Sequence, residues 1–291
     1  MEKIERYIEK IKENYPNIDV KSYERNTIGQ NNDIIIINNE YVFRFPKYQN
    51  GIKTLKVETE VLESIKEYIT LNIPNPKYNF FKEQEVGQVF AGYKMMFGKP
   101  LWKNTFMNIK NKKVLANQLA NFLKELHSIS SKEVENIDIP VCDSYEKWSV
   151  LFNKIREKLY KYMSGISKQE VEKNFEKFLG EKENFHFQHT LTHGDFGPTN
   201  ILFNEKTQRI SGIIDFGSIS FDDPAIDFAA LIGPFGYGES FVRMFHEIYP
   251  NIDSLIKRAK FYASTFPLQE ALFGLENGDR EAFNDGIAQY I

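Results

Sequence analysis

The sequence of 291 residues predicts an α+β protein of two lobes, an N-terminal antiparallel sheet with helices and a larger, mainly helical C-terminal lobe. Three observations carry that expectation. Short runs rich in β-forming residues cluster between residues 20 and 45. The composition changes at Tyr93-Lys94-Met95-Met96-Phe97-Gly98-Lys99-Pro100 and ends there in Gly and Pro, as a hinge does. Beyond it, apolar stripes recur at helical spacing. With 42% hydrophobic residues the chain has material for a sizeable core, and the expected lobes are residues 1–96 and 97–291.

Ile4, Ile8, Ile11 and Tyr15 fall on one helical stripe that Pro16 stops, so residues 2–14 read as an amphipathic helix. Residues 20–28, 33–38 and 40–45 read as strands, the last two joined by a turn at Asn38-Asn39. A helix follows over residues 52–69 and ends before Pro74 and Pro76, and two further strands are read at 77–82 and 88–96. Leu115, Leu119, Phe122 and Leu126 mark a helix ending near His127. Trp148, Phe152, Ile155, Leu159 and Tyr162 mark another, and Val171, Phe175 and Phe178 a third; these stripes are core. His186, His189 and His193 do not make a zinc site, because in an extended segment His186 and His189 point to opposite faces and His189 and His193 lie ~13 Å apart. The segment Phe221-Asp222-Asp223-Pro224-Ala225-Ile226-Asp227 starts a helix with acids at its positive end, and Phe241, Phe245, Ile248 and residues 268–291 are helical.

The chemistry is concentrated in residues 191–215, LTHGDFGPTNILFNEKTQRISGIID. His193-Gly194-Asp195 is followed by Asn200, and Asp215-Phe216-Gly217 closes the apolar run Gly212-Ile213-Ile214. Residues 201–203 and 210–214 read as a hairpin turning at Asn204-Glu205-Lys206-Thr207, which returns Asn200 and Asp215 to the same end. Transfer of a γ-phosphoryl group requires positioning and neutralisation of concentrated negative charge. Asp195 offers the carboxylate that faces an incoming hydroxyl, while the Asn200 amide and the Asp215 carboxylate are hard oxygen ligands suited to Mg²⁺. Either motif alone is weak; their order and the joining hairpin make the pair specific.

These motifs resemble the aminoglycoside phosphotransferase family, a branch of the protein-kinase-like fold, and most closely its 2''-phosphotransferases, which place His before Gly-Asp in the catalytic loop. The likeness covers essentially the whole chain and is most specific over residues 191–227. It implies a two-lobed protein-kinase-like fold, GTP or ATP as phosphoryl donor, Mg²⁺, and an aminoglycoside acceptor, hence antibiotic resistance. In that reading Asp195 orients the acceptor hydroxyl and takes its proton, and His193 supports the loop.

The same resemblance assigns the nucleotide groups. The turn Ile28-Gly29-Gln30-Asn31-Asn32-Asp33 lies where a phosphate-covering loop is expected, with Asn32 its contact; an ordinary hairpin turn is the equal alternative. Arg44 stands where the family carries a lysine for the α/β-phosphates, and Lys47 is the fallback; arginine grips phosphate bidentately. Its acidic partner is expected on the helix of residues 52–69. Glu58 shares a face with Leu62 and Ile65, whereas Glu60 shares one with Ser64 and Glu67, so Glu58 is the inward acid. Tyr93 falls at the gatekeeper position and Lys94, Met95 and Met96 at the base-binding hinge. A bulky tyrosine there accompanies GTP use among the 2''-phosphotransferases, against which stands a plain core aromatic.

On the acceptor side the candidates are Asp227, which also reads as a cap or loop anchor, Glu239, the next acid after it, and Glu270, with Glu276 and Asp279 beside it in sequence. Residues 231–238 lack the acids that the 2''-phosphotransferases carry there, so another small hydroxyl compound (a macrolide, an amino alcohol or a sugar) remains the alternative acceptor. A rival of another class is a nucleotide-binding protein without turnover, motivated by Arg44 and the lone loop glycine; Asp195, Asn200 and Asp215 together oppose it.

Composition excludes other classes. With 37 basic and 40 acidic residues the formal charge is -3, which leaves no bulk electrostatic case for nucleic acid or an anionic membrane. Lys110-Asn111-Lys112-Lys113 reads as a solvated helix end. The opening MEKIERYIEKIKENY lacks the apolar core of a signal peptide, and no window approaches the ~18 apolar residues of a span. Cys142 is the lone cysteine, so no intrachain disulfide forms. The expectation is a cytoplasmic monomer whose partners are a nucleotide and a small acceptor.

Overall fold

The computed structural model describes residues 3–26, 31–142 and 144–291. In chain order they form α1 (Lys3–Asn14), β1 (Tyr23–Asn26), β2 (Asn32–Ile37), β3 (Tyr41–Pro46), α2 (Gln49–Ile65), β4 (Tyr78–Phe80), β5 (Phe90–Lys94), β6 (Lys99–Pro100), α3 (Lys103–Met107) and α4 (Lys112–His127). There follow α5 (Ser144–Lys158), α6 (Gly165–Gly180), β7 (Thr190–Thr192), β8 (Ile201–Asn204), β9 (Arg209–Ile213), β10 (Ser220–Asp222), α7 (Ala225–Ile232), α8 (Glu239–Arg243), α9 (Ile252–Asn277) and α10 (Arg280–Ile287). Packing divides the chain into two compact units, residues 1–101 with 128–139 and 199–219, and residues 102–127 with 140–198 and 220–291. The α+β class holds, with an antiparallel sheet at the N-terminal end and helices dominating the rest.

In the first unit the antiparallel sheet runs β1-β2-β3-β5-β4. The β2–β3 connection, residues 38–40 between the paired Ile37 and Tyr41, works because Asn38 and Asn39 both adopt positive φ, 54° and 52°, which asparagine tolerates, and lets the Glu40 N–H donate to the Ile37 carbonyl at 2.9 Å. Tyr7, Ile8 and Ile11 of α1 pack on Ile35, Ile37, Phe43, Phe45 and Phe90, with the Tyr7 and Phe45 rings stacked at 4.0 Å. Gly92 lies so close to this cluster that a Cβ there would sit 2.5 Å from the Phe43 ring. Since strand side chains alternate, Arg44, between Phe43 and Phe45, turns to the opposite face, and so does Tyr93, next to Gly92. That is the face on which α2 meets β3 and β5. A second, three-stranded sheet, β6-β8-β9, belongs to the same unit. Of the turn proposed to cover phosphate, Ile28, Gly29 and Gln30 lie outside the described residues, and β1 begins at Tyr23, later than the strand read from residue 20.

An ion cluster unseen in the sequence ties α1 to the first two strands. Asp33 is buried and accepts from Lys3 at 2.6 Å, Arg25 at 2.8 Å and the Tyr7 hydroxyl at 2.9 Å. Burial works to raise its pKa, but Lys3, Arg25 and Tyr7 together hold it down at about 2. A folded-state pKa below the unfolded value near 4 stabilises the protein above that value and ceases to do so as pH falls from about 4 to about 2. The expected contribution at neutral pH is about 2 kcal/mol. Urea unfolding of wild type and Asp33→Asn should therefore differ by that amount at pH 6 and converge by pH 2; an undiminished gap at pH 2 would refute the linkage.

The second unit is built on helices. Trp148 stacks on Tyr262 at 4.6 Å, Phe178 on Phe261 at 3.7 Å and Phe122 on Phe196 at 5.3 Å, so the aromatic stripes are core. Strands β7 and β10 pair antiparallel with Thr192 opposite Ser220, which draws the start of the catalytic motif against the segment preceding α7. Asp223 then receives Arg258 Nη2 at 2.8 Å and the Tyr262 hydroxyl at 2.7 Å, and its Oδ1 accepts the Ala225 N–H at the start of α7. The helical tail differs from the span read at 268–291. Helix α9 begins at Ile252 and continues through Pro267 to Asn277, and α10 follows a left-handed Gly278, φ 73°. Gly286 of α10 approaches so closely that a Cβ would meet the Pro267 carbonyl at 2.4 Å. Tertiary packing of this kind outweighs the helix-breaking tendency of proline.

Candidate active site

In the first unit, the hairpin β8–β9 sets Asn200 and Asp215 at its two ends. The Ile214 N–H donates to the Asn200 carbonyl at 2.9 Å, so the residues flanking both candidate ligands are directly paired. Asp215 occupies a left-handed backbone conformation, φ 65°, sparsely populated outside glycine and tolerated by aspartate, and leaves 54% of its side chain exposed. Its Oδ1 accepts from Arg44 Nη2 at 3.3 Å. Arg44 Nη1 donates to Glu58 Oε1, so one guanidinium bridges the helix acid and the acid following β9. Gly217 lies against the cluster: a Cβ there would sit 3.4 Å from Asp215 Oδ1 and 3.6 Å from Glu58 Oε2.

The electrostatics follow from burial. Desolvation raises the Glu58 pKa, and Arg44 and the Phe216 backbone oppose it. Burial disfavours the Arg44 cation, but Glu58, Tyr93 and Asp215 hold its pKa above the ordinary value. Burial lifts the Tyr93 hydroxyl to about 12, against the pull of Arg44, so it stays a neutral donor at pH 7. Met95 of the hinge donates its N–H to the Glu40 carbonyl at 2.7 Å. Lys94 and Met96 line a groove of about 610 Å³ with Asn72, Tyr78, Phe97 and Ser211. Asn32 opens β2 opposite Pro46.

In the second unit, the loop His193-Gly194-Asp195 hangs from one carboxylate. Asp227 Oδ2 accepts the His193 N–H at 2.9 Å and Oδ1 the Gly194 N–H at 2.8 Å. His127 Nε2 lies 2.9 Å from Oδ2, and His127 Nδ1 lies 2.7 Å from the Tyr249 hydroxyl. This arrangement fits the tautomer in which Nε2–H donates to Asp227 and Nδ1 accepts from Tyr249. Gly194 adopts φ 79°, which lets the two N–H groups converge. His193 is fully buried, its Nδ1 accepts the Asp195 N–H at 3.2 Å, and its ring meets Phe196 edge-on.

Among the acceptor candidates, Asp227 is corrected: it is fully buried with both oxygens engaged, so it anchors the loop and touches no acceptor. Glu239 is bound by Lys260 and Arg243, each at 2.7 Å, and these cations lower its pKa. Glu270 is exposed, and partial burial followed by the nearby Asp285 carboxylate raises its pKa. Glu276 pairs with Lys158 at 2.5 Å, and Asp279 caps α10. Sequence reasoning missed His127 and Tyr249. The histidine falls at the end of a helix stripe, but its partner lies 122 residues away and carries no local signal.

Comparison with known proteins identifies the family. Residues 22–256 match the Phosphotransferase enzyme family (APH). The viomycin phosphotransferase of Streptomyces vinaceus is 27% identical over 196 residues, spanning 66% of this chain and 66% of that relative. The GDP and kanamycin complex of APH(2'')-IIIa superimposes with a TM-score of 0.89 at 26% identity, covering 97% of this chain and 96% of that one. The GDP complex of wild-type aminoglycoside 2'-phosphotransferase-IIIa gives 0.90 at 26% identity, covering 99% and 97%. With a match across most of its length, the chain belongs to the Phosphotransferase enzyme family.

Proposed function

We propose that this protein transfers the γ-phosphoryl group of GTP or ATP to a hydroxyl of a small amino-sugar acceptor, an aminoglycoside. The observation that carries the reading is Arg44 bridging Glu58 and Asp215, a buried cation fixed by an acid on each side and facing the end of the hairpin that bears both hard oxygen ligands. Arg44 grips the α/β-phosphates with Glu58 as its brace, and Asn32 lies at the phosphate turn. Tyr93 and the backbone of Lys94 and Met96 receive the base. Asn200 and Asp215 would hold Mg²⁺, since both offer oxygen and lie at paired ends of one hairpin, and the ion would supply neutralisation of phosphate charge there. Asp195 orients the acceptor hydroxyl and accepts its proton on a loop that Asp227 and His193 hold still.

The nucleotide lobe of residues 1–96 and the catalytic lobe of residues 97–291 belong to the same proposal, as do a monomeric state and a cytoplasmic location. Among the described residues no helix is long and apolar enough to cross a membrane. The similarity to proteins described with GDP and kanamycin supports the donor and the acceptor class, and the similarity to a viomycin phosphotransferase supports a small-molecule hydroxyl as the acceptor. The test is nucleoside diphosphate release, coupled to a detecting enzyme, with GTP and ATP each paired with kanamycin, gentamicin, viomycin, a macrolide and an amino alcohol. We expect GTP to give the higher kcat/KM, because the Tyr93 hydroxyl narrows the inner pocket that an adenine would fill. Faster turnover with ATP would remove Tyr93 from that role, and release with the macrolide or amino alcohol alone would replace the acceptor class.

A further inference from the structure

The second unit exposes large apolar side chains on segments fastened to the helix that holds the catalytic loop. Helix α7 runs along that loop: Asp227 in its first turn holds His193 and Gly194, and a Cβ on Gly197 would lie 3.6 Å from Ala230 Cβ. The segment 233–238 leaves the far end of α7 and folds straight back onto it. The Tyr237 and Gly238 N–H groups both donate to the Leu231 carbonyl, at 2.7 and 3.0 Å, and Gly236 packs where a Cβ would stand 2.3 Å from that same oxygen. This turn is anchored at both ends, yet it presents Phe235 with 81% of its surface exposed.

Helix α3 is fastened beside it. Lys103 Nζ donates to the Pro234 carbonyl at 2.7 Å, and the buried Phe106 stacks on Tyr237 at 4.3 Å. Residues four apart share a helix face, so Met107 follows Lys103 along the side facing Pro234, and Trp102 adjoins Phe106. Met107 is 62% exposed and Trp102 55%. Three large exposed apolar groups thus sit on two segments fastened to each other, α3 and the turn that folds back on α7, while Glu239, the nearest acid in sequence, is already neutralised by Lys260 and Arg243. Large apolar side chains grouped on the surface, one of them held out by a well-fastened turn, mark a binding surface.

We propose that Trp102 and Phe235 form an aromatic platform for the phosphoryl acceptor, stacking against the C–H face of a sugar ring and against its ammonium groups. This deepens the proposed function and rests on it. Aromatic faces attract ammonium through the ring quadrupole, so the platform recognises a cationic amino sugar without the dense carboxylates that such a ligand otherwise demands. The platform commits the site to acceptors carrying a ring with adjacent amines.

The experiment uses the full chain with kanamycin and gentamicin as probes. Trp102→Ala and Phe235→Ala should each raise the acceptor KM about tenfold and leave the nucleotide KM unchanged. Both side chains are largely exposed, so the variants should fold, which thermal melting checks. The only other tryptophan, Trp148, is buried, so acceptor binding should alter tryptophan emission in wild type and not in Trp102→Phe. An unchanged acceptor KM in both alanine variants, or an equal rise in nucleotide KM, would overturn the platform while leaving phosphoryl transfer intact. Absence of turnover by wild type with every acceptor tested would instead overturn the functional reading and the platform with it.

Discussion

Asp195→Asn lowers kcat by about a thousandfold or more while the nucleotide dissociation constant stays within about twofold of wild type. The amide keeps the size of the carboxylate but cannot take a proton from the acceptor hydroxyl. Its loop geometry should survive, because Asp227 still accepts the His193 and Gly194 N–H groups and His193 Nδ1 still accepts the Asp195 N–H. The proposed donor groups, Arg44, Glu58, Asn200 and Asp215, all belong to the other compact unit, which is why nucleotide binding is spared. Asp215→Ala is the contrasting control: it removes a candidate Mg²⁺ ligand and one partner of Arg44, so nucleotide affinity itself should fall. Equilibrium binding of GDP with Mg²⁺, beside single-turnover rates, separates the two variants. Near-normal turnover by Asp195→Asn would remove that residue from catalysis.

Asp227→Ala destabilises the fold by about 3–5 kcal/mol. The carboxylate is fully buried and satisfies two backbone N–H groups and His127 Nε2, so its removal strands three buried donors at once. Asp227→Asn should cost less, since its carbonyl oxygen still accepts from one N–H, although its NH₂ then faces a donor. Denaturant unfolding at pH 7 reads the difference through the midpoint at constant m-value. A loss below about 1 kcal/mol for the alanine variant would mean that the loop is held by its other contacts, with the carboxylate contributing little.

Much of this protein was legible in one dimension because the relevant signals are local. The Ile4, Ile8, Ile11 stripe, the paired asparagines of the β2–β3 turn, and the choice of Glu58 over Glu60 from its shared face with Leu62 and Ile65 each need only a window of a few residues. The phosphotransfer motif was also readable, since Asn200 and Asp215 are joined by a single hairpin whose strands and turn are contiguous. The tertiary structure alone decided the rest. Asp227 read as a cap or loop anchor and also as an acceptor candidate until burial and its three donors made it an anchor, and two of those donors are 33 and 34 residues away. The three-residue strands β7 and β10 are too short to announce themselves and exist because they pair across 28 residues. Asp33 became an ion cluster, and Phe235 an exposed platform, through neighbours drawn from other elements. Periodicity and turn chemistry are written in adjacent residues, whereas burial, charge pairing and exposure are set by which distant segments the fold brings together.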